Sequence, residues 1–426
     1  MSDWCTKALG DIASINIGGT PSREIPKYWA VNSEDGEYWV SIADLKSRII
    51  DESKEQITIR GVLNSNVKPV KSGTLIMSFK LSIGRAAIAG KNLYTNEAIA
   101  AIVPKNDQIT SSYLYYILPP VAKNAITDTA VKGATLNKAS LTKLSLTFPC
   151  CRARQNKITS ILETIDLAIE KTEALIAKYQ QIKAGLMHDL FTRGITADGK
   201  LRPPREQAPH LYKQTPIGWI PMEWKFTQLR EVSNVVRGST PRPAKDPRFF
   251  DGDHIPWITV GELSREDWPF LNETRTMLTE QGAAYSRVLE TGTLVISNSG
   301  YGCGVPKILN LTGCANDGIA AFLDLHDNCN QLYIYYFLYS QIITLRTKVA
   351  RGNDQPNLNT DMLGEFRIPL PAPDEQKGIS ERLWSVESMT RKEESNLEKL
   401  LLQKSGLMHD LLTGKVPVNV DEVETA

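Results

Sequence analysis

Three stretches of the 426-residue chain hold residue types that could do phosphate or metal chemistry, and each lacks a required part. GRAAIAGKN, from Gly84, has the glycines and lysine of a phosphate cradle. Five residues separate those glycines, however, and Asn92 stands where a Ser or Thr hydroxyl would bind magnesium. PDEQK, from Pro373, sets two carboxylates side by side as a metal-dependent nuclease does. Their place at a helix start assigns Asp374 and Glu375 to capping and the helix dipole. SNSGYGCG, from Ser297, is glycine-rich, but Cys303 interrupts it and no acidic partner follows, so it reads as a turn. There is no HExxH, no Gly-x-Ser-x-Gly, no metal-ligand cluster and no Asn-Pro-Pro-aromatic methylation motif. The five histidines are scattered; His188 and His409 recur in a repeated hexapeptide, which argues for a helix-end contact. No catalytic constellation forms, and the chain reads as non-catalytic.

Binding chemistry is better represented. The loops GGTPSR and GSTPRP place Thr20, Ser22 and Arg23, and again Thr240 and Arg242, beside glycine and proline. Lys80, Ser82 and Arg85 follow the strand-like GTLIMS; Asn298, Ser299 and Tyr301 follow its counterpart GTLVIS, and Arg351 lies further on. Such side chains bond phosphate oxygens and base edges, which makes these twelve residues the candidate DNA contacts.

Long helices position these loops. From Gln155 to Leu190, apolar residues step by four and three along Ile158, Leu162, Ile165, Ile169, Ile176, Tyr179, Leu186 and Leu190, the seam of a coiled coil. The seam returns 221 residues later as Ile379, Leu383, Val386, Leu397, Leu400, Leu407 and Leu411. Both copies are interrupted at matching places, Thr172 and Glu393, then Lys183 and Lys404, and both end in GLMHDL. The globular segments repeat too: YWVSIADL matches PWITVGEL, NEAIAAIV matches NDGIAAFL, and YLYYIL matches YIYYFL, in one order. Short β-branched runs bounded by Gly, Pro and Asn make each segment mixed α and β.

The layout is a first domain over 1–148, a long helix over 149–193 and a proline-rich connector over 194–219. A second domain over 220–370, a second long helix over 371–415 and a tail over 416–426 follow. The expected fold is α+β: two repeated mixed domains separated by two antiparallel helices in a coiled coil, with pseudo-twofold symmetry. Gly185 recurs as Gly406 and, being costly inside a helix, predicts a close backbone contact.

Hydrophobic content of 42% and charged content of 23% suit a soluble globular protein, and a net charge of +1 neither demands nor forbids nucleic acid. The six cysteines form no CxxC pair and read as reduced thiols of a cytoplasmic protein. The start lacks a secretory pattern, and no apolar run is long enough to span a membrane.

The GGTPSR and YWVSIADL opening, the GTLIMS and NEAIAAI blocks, the TLNKASL exit and the helix ending LMHDLLTG resemble the DNA specificity subunit of type I restriction–modification systems over essentially the full length. The resemblance implies that each domain reads one half of a split, asymmetric double-stranded target. It implies helices that set the spacer and dock two adenine-methylating modification subunits, with restriction motor subunits joining for cleavage. S-adenosylmethionine, ATP and magnesium would belong to those partners, none to this chain. One departure stands out: FPCCRARQ leads into the first helix where PAPDEQ leads into the second. The alternative is a duplicated, non-catalytic interaction scaffold that does not read DNA. Specificity is expected in the divergent stretches Glu34–Tyr38, Lys46–Asn64 and Ser264–Arg287, and lengthening the helix by four residues is expected to widen the spacer.

Overall fold

The computed structural model describes residues 3–30, 36–127, 136–300, 302–351 and 356–420. The chain falls into two compact units, one of Met1–Glu173 with Ser395–Ala426, the other of Ala174–Glu394. Each long helix divides its length between them.

In the first unit a five-stranded sheet runs in the order Ala13–Ile17, Ile99–Pro104, Leu75–Ser78, Ala86–Ala89, Ile49–Ile50. Its central strand, Leu75–Ser78, is buried along its whole length because both faces are covered. Leu75, Met77, Ala100 and Ile102 point to one core, shared with Tyr113, Leu114 and Ile117 of the helix Ser111–Thr127. Ile76, Ile99 and Ala101 point to the opposite core, shared with Val40, Leu45 and Leu93. The period-two alternation of a strand thus sorts one short sequence between a helix and a second sheet. That second sheet contains Glu37–Val40 paired parallel to Leu93–Thr95.

The second unit repeats this plan. Its main sheet runs Asn234–Arg237, Ile319–Leu323, Leu294–Ser297, Pro306–Leu309, Phe270–Leu271. Leu294, Ile296, Ala320 and Phe322 join the buried Tyr333–Leu338 of the helix Gln331–Ser340, while Val295, Ile319 and Ala321 face the other way. The proline-rich connector holds an antiparallel hairpin of Tyr212–Thr215 and Gly218–Pro221.

The long helices run Arg152–Thr192 and Pro373–Leu412. Within the first unit Ile158, Leu162 and Leu411 share one core, and Lys404 Nζ lies 2.6 Å from Asp166 Oδ1. Within the second, Leu190, Ile379 and Leu383 share one core, and Lys183 Nζ lies 2.5 Å from Glu387 Oε2. Both arrangements are antiparallel. The lysines that break the apolar seam therefore hold matching cross-helix ion pairs. No seam residue is exposed: each is buried or half-buried.

Glutamine anchors each helix start. Gln155 and Gln376 are fully buried; their Nε2 atoms donate to Pro149 O at 2.9 Å and Pro371 O at 2.8 Å. One residue earlier the repeats diverge in charge. Arg154 Nη1 lies 3.2 Å from Asp3, whereas Glu375 accepts from Trp224 Nε1 at 3.0 Å, Ile195 N at 2.8 Å and Arg202 Nη2 at 3.0 Å. Glu375 ties the connector and second domain to the helix, so capping does not account for it.

Two further expectations are corrected. Cys5 and Cys150 form a disulfide, because Trp4–Ala8 pairs antiparallel with Ser145–Pro149 and brings them together; Cys151, Cys303, Cys314 and Cys329 are free. A Cβ built on Gly185 or Gly406 meets nothing within 4 Å, so neither makes a close contact. The close approaches come just past the helix ends, at Gly194 (φ +62°) against Trp224 and Gly414 (φ +73°) against Trp4. A left-handed glycine that ends a helix and seats an indole on its bare Cα suits both places.

Candidate nucleic-acid interface

Thr20 and Thr240 occupy the same position after the first strand of each main sheet, and each is held by an acid. Thr20 Oγ1 donates to Glu97; Thr240 Oγ1 donates to Asp317 Oδ1 at 2.7 Å. Those acids sit in the turns Asn96–Ala98 and Asn316–Gly318, which lead into the strands Ile99–Pro104 and Ile319–Leu323. The Thr20 hydrogen bond holds the Glu97 carboxyl below the ordinary carboxylate range against partial burial, and the charges of Lys80 and Arg23 act in the same direction. Thr20, Arg23, Glu97 and Lys80 therefore share one edge of the first domain.

Arg23 is fixed twice more. Its guanidinium pairs with Glu55, Nη2 to Oε2 at 3.0 Å, and lies 3.7 Å over the Trp29 ring. Trp29 meets Trp39 edge to face at 5.0 Å, and Trp39 Nε1 donates to Gly19 O at 2.9 Å. Ser22 is exposed beside Arg23. In the second domain Asp317 gathers the basic groups: Arg242 Nη2 lies 3.0 Å from Oδ2, and Arg237 Nε donates to its backbone oxygen at 2.6 Å.

The second cluster of candidates lies on the loop after the Leu75–Ser78 strand. Phe79 N donates to Ala98 O at 3.0 Å, which docks the loop beside Glu97. Ser82 and Arg85 are exposed and Lys80 is half-buried. At the tip Leu81 has φ +58° and its side chain is 87% exposed. A left-handed backbone costs a side-chain-bearing residue about 1–2 kcal/mol. The matching loop, 298–305, has Gly300 (φ +73°) at that place. Gly84 and Gly304 close the two loops alike, donating to Ser78 O at 2.9 Å and Ser297 O at 2.7 Å.

Asn298 is not a contact residue. It is 1% exposed, its Nδ2 donates to Asp317 O at 3.4 Å, and its backbone carbonyl accepts from Leu358 N at 2.8 Å. Its place corresponds to buried Phe79, so it is framework. Ser299 is half-buried, and it bridges Asn357, which also pairs with exposed Arg351; this brings Arg351 to the same loop. Tyr301 lies outside the described residues, as do Glu34 and Asp35. Sequence reasoning missed Glu97, Asp317 and Arg237. The signal was the acid after Asn96 and Asn316 in the matched blocks NEAIAAIV and NDGIAAFL.

Among the described residues no group of three or more His, Cys, Asp and Glu could hold a metal ion, and no helix is long and apolar enough to cross a membrane.

The family model described as the type I restriction modification DNA specificity domain matches residues 1–181 and again 221–402. The chain is similar to the type I restriction enzyme MjaVIII specificity subunit of Methanocaldococcus jannaschii, 25% identical over 77% of this chain and 76% of that one. It is also similar to the putative MjaX specificity subunit of the same organism, 24% identical over 98% of this chain and 94% of that one. Among solved structures, the type I restriction–modification S subunit from M. genitalium covers 98% of this chain and 97% of its own, at 13% identity and a TM-score of 0.63. A chain from a structure of type I restriction–modification complex assembly covers 98% and 99%, at 16% identity and a TM-score of 0.57. The fold is shared with both. With the same domain matched twice and specificity subunits similar along nearly its whole length, the chain belongs to the family of type I restriction–modification DNA specificity subunits.

Proposed function

We propose that each domain reads one half of a bipartite, asymmetric duplex target and that the two long helices set the spacer between the halves. The chain is non-catalytic on this reading. It directs adenine-N6 methylation by two modification subunits and cleavage by restriction motor subunits, which carry S-adenosylmethionine, ATP and magnesium. The observation that carries this is the threonine–acid pair present twice, Thr20 with Glu97 and Thr240 with Asp317, in surroundings that differ. A shared scaffold with unlike exposed side chains suits two readers of unlike sequences. Arg23, Lys80 and Arg85 in one domain, and Arg237, Arg242 and Arg351 in the other, supply positive groups for phosphates and base edges, with Thr20, Ser22, Ser82, Thr240 and Ser299 beside them.

The test is the methylation pattern of DNA in cells carrying the chain with its methylating partner, read at single-base resolution. A split motif with two unlike halves and a gap of roughly six to eight bases, given recognition of about one duplex turn, supports the proposal. A short continuous palindrome, or no sequence-preferring binding at low salt by the purified complex, overturns it.

A further inference from the structure

Leu81 is left unexplained by the fold. It adopts a left-handed backbone that leucine disfavours, and it projects an apolar side chain that is 87% exposed. The second domain, in a loop one residue longer, has Gly300 at the same distance past its strand, and for glycine φ +73° carries no such penalty. The surroundings point to a ligand. Leu81 stands between Lys80 and Ser82, with Arg85 exposed on the same loop, and Phe79 docks that loop against Ala98, beside Glu97 and Thr20. An apolar group among polar and cationic ones, aimed outward on the edge proposed to meet DNA, matches the one apolar feature that a base pair offers in the major groove, the thymine 5-methyl group.

We infer that Leu81 is a specificity-determining residue of the first domain that contacts a thymine methyl in its half-site. This rests on the reading of the chain as a DNA specificity subunit. The strained backbone holds the side chain clear of the domain, and the flanking groups bond phosphates and neighbouring base edges. The second domain, with glycine at that place, has no such contact.

The experiment uses the complex of the full chain with its methylating partner. Leu81→Gly copies the second domain, and Leu81→Asn keeps a residue that tolerates the left-handed region. Both should retain thermal stability. Both should bind the target roughly fourfold more weakly, the scale of burying one methyl group, with an unchanged dependence on salt, because no phosphate contact is removed. Arg85→Ala is the contrast and should flatten the salt dependence. Replacing the thymines of the first half-site one at a time by uracil deletes only the methyl. At one position uracil should weaken wild type and leave both variants unaffected. The inference is overturned if both folded variants bind and methylate as wild type does, or if no uracil position separates wild type from variants. If wild type itself shows no sequence preference, the reading of the whole chain fails and this inference with it.

Discussion

Lys307 is a buried lysine of the second domain. It is 3% exposed and donates to Glu266 O at 2.6 Å and to Trp268 O; burial pulls its pKa from the ordinary 10.5 down to about 8. Nearby, burial pushes the Glu387 carboxyl up while the Lys183 ammonium opposes that shift. Between pH 8 and 10.5 the folded chain binds fewer protons at Lys307 than the unfolded chain does, so stability rises with pH across that window. Above pH 10 the buried Tyr335 and Tyr336, whose hydroxyls burial pushes well up, work the other way, since the folded state keeps their protons longer. Melting temperature measured from pH 7 to 10 should therefore climb with pH more steeply in wild type than in Lys307→Met. Identical slopes would remove Lys307 from the account.

Among the helices, the glycines give the sharpest contrast. Gly185 and Gly406 lie inside helices with open space around them, so Gly185→Ala and Gly406→Ala should each stabilise the chain by about 0.5–1 kcal/mol in urea unfolding. Gly414→Ala should destabilise it, because the new Cβ would fall 2.7 Å from the Trp4 ring at φ +73°. A gain at Gly414 would contradict the assigned packing. The ion pairs set a second constraint. Asp166 and Lys183 stand as far apart along one helix as Glu387 and Lys404 do along the other, and the pairs join them crosswise. Four residues added between Asp166 and Lys183 alone cannot keep both pairs, so that variant should lose stability. Equal additions in both helices, the second between Glu387 and Lys404, should keep both pairs and lengthen the methylated motif's gap with the half-sites intact. An unchanged gap in the doubly extended variant would show that the helices do not set it.

Over the whole molecule, the duplication was legible in the sequence because burial constrains apolar residues at fixed spacing. The apolar run Leu75–Met77 returns as Leu294–Ile296, and the seam through Ile158 and Leu162 returns in the second long helix. Contacts made by single polar atoms leave no such trace. Glu375 looked like a cap because its partners Arg202 and Trp224 are remote in sequence, and Cys5 met Cys150 only once two distant strands were paired. Gly185 misled for the opposite reason: repetition marked the position, but the bare Cα that matters lies past the helix end, at Gly194 and Gly414. The division of the chain has a further consequence for its synthesis. The second unit is one continuous stretch, Ala174–Glu394, whereas the first needs Ser395–Ala426, with Leu411 in its core and Gly414 against Trp4. Domains ordinarily fold as the ribosome delivers them. Here the unit that begins earlier in the chain is completed later, because its closing segment follows the whole of the second unit, and a stop between the two leaves the first incomplete.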